Sequence, residues 1–130
     1  MDNTNESSED YLERILMLNE SNKGYVRAID IASSMGFSKA SVSIALKKLE
    51  EKGYVVVGPK QALSLTPTGK EIAEKILERH HIIGHLLISL GVDEETAYKD
   101  ACKIEHDLSD ETFAALKNAY LKKEKSEKGE

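Results

Sequence analysis

At 130 residues the chain has room for one compact domain or two small ones sharing a core; with 5% aromatics and no Trp, a large apolar ligand pocket is not expected. No run approaches the roughly 18 apolar residues of a membrane span, the polar stretch from Met1 to Asp10 argues against a signal peptide, and a lone Cys102 excludes an internal disulfide and fits a reducing cytoplasm. The net charge of −5 is unevenly spread, because positions 23–70 hold eight basic residues against Asp30, Glu50 and Glu51 while both flanks are acidic.

In chain order, Ser7 to Asp10 reads as a helix start, with a Ser cap and an acid three residues on. Tyr11, Leu12, Ile15, Leu16 and Leu18 supply its apolar stripe to about Asn19, and Asn22-Lys23-Gly24 ends it. Tyr25 to Arg27 is a short extended lead-in to a second helix, Ala28 to Met35, with Ile31, Ala32 and Met35 facing inward. After a turn at Gly36-Phe37-Ser38, a third helix runs from Ser38 or Lys39 to Lys52. Val42, Ala45, Leu46 and Leu49 form its buried arc at i, i+3, i+4 and i+7, and Gly53 stops it. Tyr54 to Val57 and Ala62 to Leu65 read as two strands joined by the turn Gly58-Pro59-Lys60-Gln61. Two helices, a tight turn and a hairpin wing describe a winged helix-turn-helix over residues 1–70.

Thr66-Pro67 opens a long helix, with Thr as cap and Pro at the first helical position, running to about Leu90 before Gly91. Asp93 caps a fifth helix to about Leu108, and Ser109 a sixth to about Lys122, followed by a charged tail expected to fray. Residues 71–130 therefore read as a helical domain, and the whole fold as mostly α. Ile82, Ile83, Leu86, Leu87, Ile88 and Leu90, with Phe113, Leu116, Tyr120 and Leu121, exceed what one small helical hairpin buries, so a homodimer interface is expected.

With Val42 at the centre of the third helix's buried side, Ala40, Ser43, Ile44, Lys47 and Lys48 point the other way at 100° per residue. A small, polar N-terminal turn with basic residues further along is what a recognition helix presents to double-stranded operator DNA. Ser43 is placed to bond a base or phosphate, and Ile44 to meet a thymine methyl. Ser38, Lys39 and Ser41 reach phosphates from the same end, Lys60 stands at the wing tip, and Arg27 belongs to the same basic segment. The bland alternative is a solvated lysine face.

Asp10 and Glu13 lie three apart on the first helix. Cys102, Glu105 and His106 take i, i+3 and i+4 on the fifth, and His80 lies on the long helix between. Carboxylate, thiolate and imidazole are first-row transition-metal ligands, and this spacing lets side chains of one face converge on an ion. His81 and His85 form a further i, i+4 pair. Taken singly, Asp10 and Glu13 read as ordinary first-turn acids, and Cys102 as a small buried hydrophobe.

Through Glu9-Asp10-Tyr11-Leu12-Glu13, Leu65-Thr66-Pro67-Thr68-Gly69, Arg79-His80, Gly91-Val92-Asp93 and Ile104-Glu105-His106, residues 8 to 121 resemble the diphtheria-toxin-repressor family. Within it they are most similar to the manganese transport regulators. The resemblance implies a dimeric repressor of metal-uptake genes with Mn(II) or Fe(II) as corepressor and a C-terminal metal-binding and dimerisation domain. It places metal ligands at Asp10, Glu13, His80, Glu105 and His106. Cys102 stands where the manganese type has Glu and the iron type has Cys, while Asp10 stands where the iron type has Met. Tyr98 replaces the His of the iron type's anion-assisted second site. The iron type also carries an SH3-like third domain, for which this chain ends too early. The ligand set is thus a hybrid, in which Asp10, Glu13 and the short chain favour manganese-type behaviour while Cys102 softens the site and favours Fe(II), or Zn(II) or Co(II).

The expected mechanism has a metal tie the DNA-binding half to the dimerisation half, holding two recognition helices one DNA turn, roughly 34 Å, apart. A winged-helix repressor that senses no metal is the alternative. A metalloenzyme is disfavoured, because no nucleophile motif or phosphate loop accompanies the ligands and no small-molecule substrate is suggested.

Overall fold

The computed structural model describes residues 6–22 and 25–127. The expected helix stop at Lys23-Gly24 and the last three residues of the tail lie outside them. Two compact units divide the chain, Met1–Lys75 and Ile76–Glu130. Elements follow in the order α1 (Glu6–Asn22), α2 (Ala28–Met35), α3 (Lys39–Glu51), β1 (Val55–Val57), β2 (Leu63–Leu65), α4 (Pro67–Ser89), α5 (Glu94–Ile104) and α6 (Asp110–Glu127).

In the first unit, Leu12, Ile15, Val26, Ile31, Val42 and Val55 are almost fully buried. Each such side chain contributes about 1.5–3 kcal/mol on leaving water. Leu18, Met35 and Ala45, expected inside, are only half-buried. Helix α1 begins at Glu6, so Ser7 is within its first turn rather than its cap, and it continues to Asn22.

Asp30 closes the start of α2 by accepting from the Arg27 backbone N–H at 2.9 Å. Gly36, at φ 72, ends α2 in the left-handed conformation that costs glycine little and turns the chain into α3. Ser38 then caps α3, its Oγ accepting from the Ser41 N–H at 3.1 Å and donating to Ser41 Oγ at 2.9 Å.

The wing is an antiparallel pair in which Val55 faces Leu65 and Val57 faces Leu63. Each strand of the wing begins one residue later than expected, at Val55 rather than Tyr54 and at Leu63 rather than Ala62. Its tip carries Lys60 and Gln61 at φ 59 and 60, and the Leu63 N–H ties the wing to the Val26 carbonyl at 2.7 Å.

Thr66 joins wing to α4, as its cap role predicts. Its Oγ1 accepts from the Gly69 N–H at 3.1 Å and donates to the Gly53 carbonyl at 2.7 Å. Gly69 allows this close approach, because a Cβ there would collide with the Tyr54 carbonyl.

In the second unit, Ile76, Ile82, Ile83, Ala97, Ala101 and Phe113 form the core. Asp93 caps α5 by accepting from the Glu95 N–H at 3.2 Å. Helix α5 stops at Ile104, four residues before the expected Leu108. The reason lies 26 residues back in the chain. Arg79 Nη1 donates to the Glu105 carbonyl at 3.0 Å and the Leu108 carbonyl at 2.7 Å, supplying donors that a continuing helix would otherwise provide. The Ser109 cap expected for α6 is present, its Oγ accepting from the Thr112 N–H at 3.0 Å. Helix α6 runs to Glu127, so the charged segment after Lys122 is helical that far rather than frayed.

Ile88, Leu90 and Leu121 stay exposed, Leu90 at 78%. Ile82, Ile83 and Phe113, which the sequence assigns to the same apolar excess, are buried within the chain.

Candidate metal centre and nucleic-acid interface

The second unit brings three candidate ligands together. Single ligand atoms of His80, Cys102 and Glu105 all lie within 4.8 Å of one another. His80 is on α4, Cys102 in the last turn of α5, and Glu105 one residue past its end. Glu105 keeps helical backbone angles, φ −58 and ψ −26. His106 follows in the turn rather than on the helix.

Glu105 is the centre of the group. It is fully buried at 0% exposure, and its Oε2 stands 3.2 Å from His80 Nδ1. Its Oε1 is 3.5 Å from His106 Nε2 and accepts no hydrogen bond. The His106 side chain is itself almost sealed, at 2%. Cys102, in contrast, is exposed, which overturns its reading as a buried hydrophobe, and its Sγ lies 3.6 Å from His80 Nδ1.

The His80 imidazole is pushed up to about 10, first by its hydrogen bond to Cys102 and then by the one to Glu105, against the opposing effect of burial. A buried carboxylate oxygen without a donor, beside a second imidazole, is what a divalent ion would satisfy. The nitrogen, sulfur and oxygen donors of this group suit a first-row transition metal. The residues therefore fit such an ion.

Asp10 and Glu13 stand one turn apart on α1 in the first unit, Asp10 half-buried and Glu13 buried at 7%. His81 and His85 do not gather a third ligand among the described residues. Instead His85 Nδ1 is 3.2 Å from the Tyr120 hydroxyl.

Two neighbours of the group escape a reading from spacing alone. The Tyr98 ring lies 5.2 Å from the His80 ring, centroid to centroid. Gly84 makes room for it, since a Cβ there would run into that ring. Arg79 is buried at 4%; a cation next to a candidate ligand, on a helix face otherwise filled by Ile72, Ile76 and Ile83, was the available signal.

In the first unit, α3 turns Lys39, Ala40, Ser41, Ser43, Ile44, Lys47 and Lys48 to solvent, with Ile44 at 61% exposure. Ser38, Arg27 and Lys60 are exposed as well. Ser43 and Lys47 line a groove between α3 and the wing, with Val57 and Gln61 opposite. On the other side of α3, Ser41, Ile44 and Lys48 border a groove shared with Ser7, Ser8 and Tyr11 of α1. An exposed isoleucine among lysines and serines is a poor water-facing surface and a good match for a base-pair edge flanked by phosphates.

A winged helix-turn-helix with a basic outer face, followed by a helical unit holding an N, S, O cluster, defines the class of metal-responsive DNA-binding regulators. The comparisons with known proteins narrow this. The family profile for the N-terminal DNA binding domain of the iron dependent repressors matches residues 3–63. The profile for their metal binding and dimerisation domain matches residues 66–130. The chain belongs to this family of metal-dependent transcriptional repressors.

It is 42% identical over 106 residues to the HTH-type transcriptional regulator MntR of Bacillus pumilus, covering 82% of this chain and 73% of that one. It is 41% identical over 113 residues to an uncharacterised HTH-type transcriptional regulator of Methanocaldococcus jannaschii, covering 86% and 90%. The solved structure of the manganese regulator SloR superposes with a TM-score of 0.76 at 28% identity over 85% of this chain. The chain spans about half, 52%, of that structure's length.

Proposed function

We propose that this protein represses metal-uptake genes as a homodimer, with Mn(II) or Fe(II) as corepressor. His80, Cys102, Glu105 and His106 hold the ion, and Asp10 and Glu13 supply further carboxylates on the strength of the sequence resemblance. The observation that carries the reading is the sealed Glu105 carboxylate, flanked by two imidazoles and a thiol, with one oxygen left without a donor. A structural ion pair needs neither the second imidazole nor the thiol.

Manganese is supported by the likeness to the manganese regulator SloR, and iron by the family profiles. The Cys102 thiol adds weight to Fe(II), since thiolate prefers softer ions than Mn(II).

On the DNA side, Ser43 and Ile44 address base edges in the major groove. Arg27, Lys39, Lys47, Lys48 and Lys60 address phosphates, and Ala40 and Ser41 permit close approach of the helix N-terminus. The Ser38 hydroxyl serves α3 as its cap, so its part is to set the helix start. Ile88, Leu90 and Leu121 belong to the apolar face that a second copy covers. The protein works in the cytoplasm without catalytic activity; no described helix is long and apolar enough to cross a membrane.

The test is DNA binding by Glu105→Gln, His106→Ala and Asp10→Ala at saturating Mn(II), followed by fluorescence anisotropy on the upstream region of a metal-transporter gene. Loss of metal-stimulated binding in all three is expected. Variants that bind as wild type, with chelator and with metal alike, would leave a metal-independent winged-helix repressor.

A further inference from the structure

Arg79 is a buried cation that the metal reading leaves without a task. Its guanidinium spans the whole segment between α5 and α6. Nη1 donates to the carbonyls of Glu105 and Leu108, at 3.0 and 2.7 Å. Nη2 donates to Asp110 Oδ1 in the first turn of α6 at 2.6 Å. The guanidinium carbon lies 5.2 Å from the Phe113 ring centroid, a cation–π distance.

Two candidate ligands, Glu105 and His106, lie on the segment so held, and a third, His80, is the next residue on Arg79's own helix. One side chain thus fixes the backbone beneath two ligands and ties it to the helix that bears the third.

We propose that Arg79 is the positioning residue of the metal centre. It ends α5 at Ile104, holds the 105–108 turn against α6, and so presents the Glu105 and His106 side chains in a single arrangement. This rests on the metal-binding reading above. A planar fork is needed, because two carbonyls and a carboxylate must be met from fixed directions. A lysine ammonium is a single point on a flexible stem and cannot span them. Residues one step out from metal ligands typically change metal affinity by about 10–100-fold when lost.

The experiment is Co(II) titration of the full chain, read by the visible d–d absorption of the bound ion, beside thermal unfolding of the metal-free protein. Wild type is expected to bind Co(II) with a defined spectrum. If it does not, the metal-binding reading itself fails, and that outcome is distinct from those below. For Arg79→Lys the expectation is a folded protein whose Co(II) affinity falls by about 10–100-fold and whose d–d bands shift or broaden even at saturating metal. A lowered melting temperature with wild-type affinity and spectrum would show a merely structural role and overturn the proposal.

Should Arg79→Lys fail to fold, Asp110→Asn decides. Asp110's side chain is 76% exposed, so the fold is expected to survive its change while the α6 end of the clamp is released. A severalfold loss of Co(II) affinity with an altered spectrum is expected, and unchanged values would overturn the proposal.

Discussion

Replacing Lys47 and Lys48 by Gln separates the two ways of reading a basic helix face. Both lysines are exposed on α3 and opposite its buried arc, so their loss leaves the fold intact; surface changes of this kind stay within about 0.5 kcal/mol. The five exposed cations assigned to phosphates, Arg27, Lys39, Lys47, Lys48 and Lys60, double in a homodimer. Each phosphate neutralised contributes about 0.9 to the slope of log affinity against log salt, so the metal-loaded dimer is expected to show a slope of about −9. The double variant removes two contacts per protomer and brings the slope to about −5. Between about 50 and 200 mM salt, wild type then loses about five decades of affinity and the variant about three. Fluorescence anisotropy with labelled operator DNA across that range measures both slopes. Parallel lines for wild type and variant, with equal affinities, would refute the placement of these lysines on phosphates and return them to the role of solvated charge.

Cys102→Glu replaces a soft donor with a hard one, so Zn(II) and Co(II) should lose affinity relative to Mn(II) in a competition titration; an unchanged ranking would remove the thiol from the coordination sphere. His80, pushed up to about 10, carries a proton throughout the neutral range and must release it to coordinate. Metal affinity should therefore rise with pH, by at least about tenfold per unit, the share of the His80 proton alone, between pH ~6 and ~8, as followed by metal titration in a non-coordinating buffer. Gly84→Ala pushes a methyl into the Tyr98 ring and should cost about 1–3 kcal/mol in chemical denaturation. It should also weaken metal binding, because Tyr98 packs on His80. Ile44→Ala, at an exposed position, should leave the melting temperature unchanged while lowering operator affinity.

The DNA-binding unit was legible because its punctuation is local. Gly36 at positive φ, Ser38 capping α3 and the Thr66-Pro67 start of α4 each act within a few residues, and the period of Val42, Leu46 and Leu49 gives the buried side of α3 directly. The candidate ligands were legible as types at helical spacing. Three features were not. The end of α5 depends on Arg79, which is remote in sequence, so a helix signal running through to Leu108 misplaces Glu105 and His106 by one structural context. The wing tip places Lys60 and Gln61 at positive φ, which no Gly or Asn announces. Burial of Glu105 depends on partners remote in sequence, His80 of α4 among them, and its neighbours in sequence are too polar to suggest it. The apolar excess on α4 and α6 was counted correctly but not divided. Ile82 and Ile83 fill the interior, whereas Ile88 lies on the other arc of α4, Leu90 just past its end, and Leu121 near the exposed end of α6.

The most direct test of the central claim is the affinity of the wild-type dimer for operator DNA, measured by fluorescence anisotropy first with a chelator and then with Mn(II), anaerobic Fe(II), Co(II) and Zn(II). Tight binding that appears only with metal is predicted, and the same factor should reappear as tighter metal binding when operator DNA is present. Equal DNA affinity with chelator and with every ion would contradict the account, leaving the His80, Cys102, Glu105 and His106 group without a part in DNA recognition.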